Sequence, residues 1–232
     1  MKTVYWSKYN VYSMDSNDFL LDLEPKPSYR HAKNLFKADN KSADWLECPA
    51  SIDILSSNYS INSPIDLSFS MKHDNRAHSE KPHSMNMVNF RNFNKNYSVM
   101  DYLLTIHLFS EEDLEVSVTS PFLNASSNYF LIPGKFNISK WFRPINPSYM
   151  FLNSNYDVLI NKGDPIMNLS FNTKEKILFK EFYFTETLKE IAKESVGYKQ
   201  FSKKNSLSSL YSKFENQKIN KIVLKEIKKS LI

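Results

Sequence analysis

In the stretch Ile65-Asp66-Leu67-Ser68-Phe69-Ser70-Met71, apolar and polar residues alternate without a break. A period of two places one side chain set on a buried face and the other toward water, which predicts a half-buried strand. Residues 102–109, 114–120, 128–132, 156–160, 165–171 and 176–184 carry further strand patterns, separated by turn signals. Many short strands at this spacing predict an antiparallel sandwich or jelly-roll-like body over residues 48–184. Residues 1–47 show no sustained period and are expected to be irregular, with a short strand at 3–6 and an extended path at Pro25 and Pro27. Residues 72–98 are polar and predict a long loop carrying one short strand near 85–90.

After residue 184 the period changes to that of a helix. Thr185 is placed to cap a first helix, and Gly197 to end it. Leu207, Leu210, Tyr211 and Phe214 follow with i, i+3, i+4, i+7 spacing. A second apolar stripe runs through Ile219, Ile222, Val223, Leu224, Ile227 and Leu231. The expected fold is therefore mainly β, with a C-terminal α-helical segment over residues 185–232.

Glycine is scarce, with three in 232 residues. Gly163 lies between two strand patterns, in Asn161-Lys162-Gly163-Asp164-Pro165, and predicts a hairpin turn that needs a positive φ. Pro165 is acceptable as the first residue of the next strand. Pro133-Gly134 predicts a second turn.

These segments form a pattern: CPASIDI, INSPIDLSF, SPFLN, IPGKFNISKWFRPI and VLINKGDPIMNLSF. The pattern resembles an uncharacterised protein family of T4-like tailed phages of marine bacteria, and the resemblance covers roughly residues 25–184. It implies a phage-encoded protein whose location is the host cytoplasm or the virion. No activity is attached to that family, so the resemblance carries over no catalytic residue. The hairpin at Gly163 also resembles one in the dUTPase and dCTP-deaminase superfamily. That chemistry needs a glycine-rich motif, which a chain with glycines only at 134, 163 and 197 does not supply.

With 41% hydrophobic and 14% aromatic residues, the chain has enough apolar surface for a true core. Cys48 is the single cysteine, which excludes an internal disulfide and a multi-cysteine zinc site. It is expected to be a buried thiol. No apolar run has the length of a signal peptide or a membrane span, so no membrane partner is expected. The net charge of +5 is uneven. Residues 185–232 carry 11 Lys and 5 Glu, while the rest of the chain nets −1.

Among candidate sites, His73, Asp74, His78 and His83 fall within eleven residues and bring imidazole and carboxylate together, as zinc or iron requires. Their spacing of five and five matches neither a helical pair nor a His-x-Asp triad, so a solvated loop is the simpler reading and no cofactor is expected. His107 is read as a surface or hydrogen-bonded strand histidine, and the acidic turn at 111–115 as solvated. Trp141, Phe142, Arg143 and Tyr149 suit either an interface or a loop folding its own aromatics over the body. Ile222, Ile227 and Leu231 belong to a stripe that needs burial in the body, a dimer or a partner. Lys218, Lys221, Lys225, Lys228 and Lys229 form a basic face able to neutralise phosphates nonspecifically.

The leading functional expectation is a non-enzymatic binding or assembly protein with a protein partner or a homo-oligomer. The alternatives are a metal-dependent enzyme using the histidine loop, and a nonspecific nucleic-acid binder using the C-terminal helices.

Overall fold

The computed structural model describes residues 1–9, 23–38, 44–71, 77–78, 87–92, 97–122, 129–152, 156–201 and 207–232. The chain is mainly β, with several antiparallel sheets forming an open, sandwich-like body and helices at the C-terminal end.

One sheet has the order β12 (Pro144–Ile145), β8 (Ile106–Phe109), β1 (Lys2–Lys8), β16 (Ile177–Glu181). Here β1 is antiparallel to β8 and parallel to β16, with Val4 opposite Phe179 and Trp6 opposite Glu181. A second sheet has the order β11 (Gly134–Asn137), β9 (Glu115–Thr119), β15 (Pro165–Phe171), β3 (Asn58–Asn62), β2 (Lys26–Pro27). A third runs β10 (Tyr129–Leu131), β13 (Ser148–Leu152), β7 (Tyr97–Tyr102), β6 (Val88–Asn92). The last runs β14 (Tyr156–Ile160), β4 (Leu67–Met71), β5 (Ala77–His78).

The expected alternation is realised in β4, where Leu67 and Phe69 are buried while Ser68 and Ser70 are half-buried. It is equally clean in β9, where Val116 and Val118 enter the core between Glu115, Ser117 and Thr119. By contrast β15, flanked by β9 and β3, buries its first five residues. Between β14 and β15, Gly163 takes a φ of 92° and donates its N–H to the Ser63 carbonyl at 2.8 Å. The positive-φ turn expected there holds, but it is not a hairpin: β14 and β15 lie in different sheets, β14 against β4 and β15 between β9 and β3. The turn reading does not hold at Gly134, which lies in β11 opposite Val118 without a positive φ.

Three helices precede or follow the β body in ways that matter for its outer surface: α1 (Ser28–Ala38), α2 (Pro49–Ser57) and α3 (Glu186–Phe201). They are joined by α4 (Leu207–Asn216) and α5 (Ile219–Lys229). The expectation of an irregular segment over 1–47 is corrected by β1, which has a strand on each side, and by α1. Residues 49–57, read as the start of the β region, form α2, because Pro49 at the first helical position fits a helix start. The strand expected over 102–109 is two strands in different sheets, β7 and β8. Thr185 caps α3 as expected, accepting the Leu188 N–H on Oγ1 at 3.3 Å. Gly197 does not end that helix, which continues to Phe201.

The sheet containing β1 separates two hydrophobic clusters. Val4, Trp6, Ile106 and Leu108 point into the main core between the sheets. Tyr5, Tyr9 and Phe109 point the other way, toward Phe142, Phe182, Leu188, Ala192, Phe214, Val223 and Ile227. Period two thus feeds two cores from one sheet, and the C-terminal helices form a layer over its outer face. Full burial of side chains such as Leu188, Val223 and Ile227 stabilises that layer by roughly 1.5–3 kcal/mol each. The C-terminal residues also extend the sheet: Leu231 bridges Phe182, and the Ile232 N–H donates to the Glu181 carbonyl at 3.1 Å.

Candidate functional site

Of the histidine-loop candidates, His73, Asp74 and His83 lie outside the described residues. His78 is placed by its backbone in β5, opposite Ser70. No group of metal-ligating side chains occurs among the described residues, so the metal reading rests on the sequence alone.

The segment after β11 turns its aromatics inward. Phe142 is buried against Phe109, Phe182 and Phe184 in the outer cluster. Tyr149, on β13, is buried in the main core, and its hydroxyl donates to the Ile166 carbonyl at 2.6 Å. Neither can serve as a contact residue for another molecule, which corrects their assignment to an interface. Trp141 stacks on Tyr211 of α4, with ring centroids 4.6 Å apart and planes inclined by 30°. The Arg143 guanidinium sits 5.0 Å from the centre of the Trp141 ring. Beside them Lys140 pairs with Glu215 of α4 at 3.0 Å. The loop reads as a clamp holding the helical layer on the body. The side chains of Leu207 and Leu210, expected in the same apolar stripe, are outside the described set.

His107 lies beneath this clamp, fully buried. Its Nδ1 is 3.1 Å from the Thr105 carbonyl. A carbonyl can only accept, so Nδ1 carries the proton and Nε2 is left as a bare acceptor. Nε2 has no hydrogen-bond partner among the described residues, and the ring packs against Phe142 and Phe184. Burial lowers the His107 pKa to about 3, with the nearby Arg143 charge adding to the effect and the Thr105 hydrogen bond opposing it. The imidazole is therefore neutral and sealed from water, with none of the access that a general base needs. Thr105 itself has a φ of 62°, unusual for a β-branched residue. Its carbonyl also accepts the Tyr9 N–H at 3.0 Å, so the kink ties β1 to the start of β8.

Cys48 is exposed, contrary to the buried thiol expected, because it precedes α2 at the surface rather than starting a strand. The backbone N–H groups of Ser51 and Ala50, close to the thiol though not in a capping hydrogen bond with it, lower its pKa. Those are the free donors of a helix start. No His or carboxylate contributes to that shift.

Two surfaces remain. On α5, Ile227 and Val223 are buried, whereas Ile222 is 46% exposed and Leu231 beyond it is also exposed. The apolar stripe predicted from 219 to 231 is thus split, with Ile227 inside and Ile222 and Leu231 outside. Around Ile222 stand Lys218, Lys221 and Lys225, all exposed. The second surface is the edge strand β10, whose Phe130 is 53% exposed and is followed by Ile132 at 42%. Sequence reading missed this edge, although its signal is present: Tyr129-Phe130-Leu131-Ile132 is apolar at every position, and so on both faces.

No protein-family model matches the sequence, and no curated protein is significantly similar to it. No helix among the described residues is long and apolar enough to cross a membrane.

Proposed function

We propose that the chain is a phage-encoded, non-enzymatic binding or assembly protein that joins another protein chain through the edge of a sheet. The observation behind this reading is β10. Among the described residues it has one strand neighbour, β13. Tyr129 and Leu131 pack inward while Phe130 and Ile132 face solvent. A sheet edge offers unpaired N–H and C=O groups, and an edge with outward apolar side chains is a template for a further strand. A second copy fits best, because two identical strands pair antiparallel about a twofold axis with the same residues on both sides.

The phage origin, and with it a location in the host cytoplasm or the virion, rests on the family resemblance of residues 25–184. The non-enzymatic part is supported by the state of the described reactive groups. His107 is sealed and neutral, and no His or carboxylate among the described residues contributes to the Cys48 shift.

Light scattering after size exclusion, over a series of concentrations, tests the reading. The wild-type chain is expected to self-associate, and a Phe130→Lys, Ile132→Lys variant to run as a folded monomer. A wild-type chain that stays monomeric at its highest soluble concentration, or a variant that associates equally, removes the sheet-edge reading.

A further inference from the structure

We infer that the outward face of α5 is a binding surface for single-stranded nucleic acid, a role independent of the sheet edge at β10. Lys218, Lys221 and Lys225 follow i, i+3, i+7 spacing and are all exposed. Lys221 and Lys225 therefore share one face of α5, about one turn or 5.4 Å apart, and Lys218, with a φ of 54°, immediately precedes the helix. Lys228 and Lys229 are already engaged, with Glu111 at 2.9 Å and Glu226 at 2.6 Å. None of the first three forms an ion pair among the described residues. Like charges gathered at the start of one helix repel one another, and a polymer of phosphates relieves that repulsion while releasing its own counterions.

The neighbours of the lysines select the kind of polyanion. Ile222 sits within the stripe and is 46% exposed. Tyr183 is 68% exposed and stands at the other end of α5, since its N–H donates to the carbonyl of Ser230 at 2.9 Å; at about 1.5 Å per residue that end is on the order of 12 Å from Ile222, a span that a strand running along the helix covers. A duplex presents phosphates outward and hides the flat faces of its bases, so an exposed Tyr and Ile would gain nothing from it. A single strand offers both phosphates for the lysines and base faces for Tyr183 and Ile222. Lysine contacts to phosphate carry no base code, so the binding is indifferent to sequence.

The test is fluorescence anisotropy with a labelled oligothymidylate and a duplex of the same length, at about 50 and 200 mM salt. The full chain is expected to bind the single strand more tightly than the duplex, and to lose affinity steeply with salt. A Lys218→Gln, Lys221→Gln, Lys225→Gln variant should bind at least about tenfold more weakly and flatten the log–log salt slope by about 2. Tyr183→Ala should weaken binding about tenfold and leave the slope unchanged. Should the triple variant fail to fold by circular dichroism, Lys221→Gln alone should flatten the slope by about 0.7. The inference is overturned by no binding at low salt, by variants that bind like the wild type, or by a duplex that binds more tightly. Polyglutamate that displaces the oligonucleotide as well as unlabelled oligonucleotide does would mark the face as a general anion site and overturn it too.

Discussion

The indole of Trp141 lies stacked on the ring of Tyr211, with 4.6 Å between centroids, and so joins the loop after β11 to α4. The two residues are 70 positions apart in a chain whose helical layer touches the body through few polar pairs, such as Lys140 with Glu215. The stack acts with the buried Phe214 side chain and the Lys140–Glu215 pair to hold α4 on the body. In a double-mutant cycle of Trp141→Ala and Tyr211→Ala, read by urea unfolding, we expect a coupling of about 0.5–1.5 kcal/mol. Strict additivity would mean that the rings are adjacent without holding the layer.

His107 makes stability depend on pH in a defined window. Its pKa is about 3 in the folded chain, against 6.5 for an ordinary histidine. Above the ordinary value both states are neutral and nothing is lost. Below it the unfolded chain takes up a proton that the folded chain refuses, so stability falls by about 1.4 kcal/mol per pH unit until about pH 3. Carboxylates titrate in the same range, so the measurement is the difference between wild type and His107→Asn. The wild type should lose stability more steeply between pH 6 and pH 4, and parallel curves would refute a buried neutral imidazole.

Two of the glycines should respond in opposite ways. Gly163 has a φ of 92°, whereas Gly134 lies in β11 with open space where a Cβ would stand. Gly163→Val should destabilise by about 1–3 kcal/mol. Gly134→Ala should be neutral, or stabilising by up to about 1 kcal/mol, because it restricts the unfolded chain without straining the folded one. Thermal melting of both variants checks the pair.

Removing residues 219–232 would uncover Tyr5, Phe182 and Phe214, which share the outer cluster with Val223 and Ile227. The truncated chain is expected to bind a dye for exposed apolar surface and to melt several degrees lower, while its far-ultraviolet spectrum keeps the β signal. Val223→Asp should give a milder version of the same change. A truncated chain that melts and sediments like the full one would show that the outer layer is not packed on the sheet.

What could be read in the sequence was local. The alternation through Leu67 and Phe69, the cap at Thr185 and the turn at Gly163 each follow from a few neighbouring residues, and each is present. What could not be read depends on partners far away. The segment Lys2–Lys8 looks like a minor strand by itself, and only its pairing with β8 and β16 makes it central. His107 reads as an ordinary strand histidine until Phe142 and Phe184 close over it. The aromatics of 141–149 fit an interface equally well until Tyr211 is seen to occupy Trp141. The exposed Phe130 and Ile132 were legible in principle, since a strand apolar on both faces has more apolar surface than one core can take.

The parallel pairing of β1 with β16 has a consequence for synthesis. Lys2 lies opposite Ile177, so the strand made first completes its sheet only with one made far later. At about 5–20 residues per second, that wait is on the order of 10–35 s. During it Val4 and Trp6 can enter the main core, most of which is already made, whereas Tyr5 waits for Phe182, Leu188 and the C-terminal helices to close the outer cluster. The nascent chain thus pairs β1 on its β8 side first and leaves its β16 side open while the intervening residues are made, which makes that open edge a natural point of capture for a chaperone.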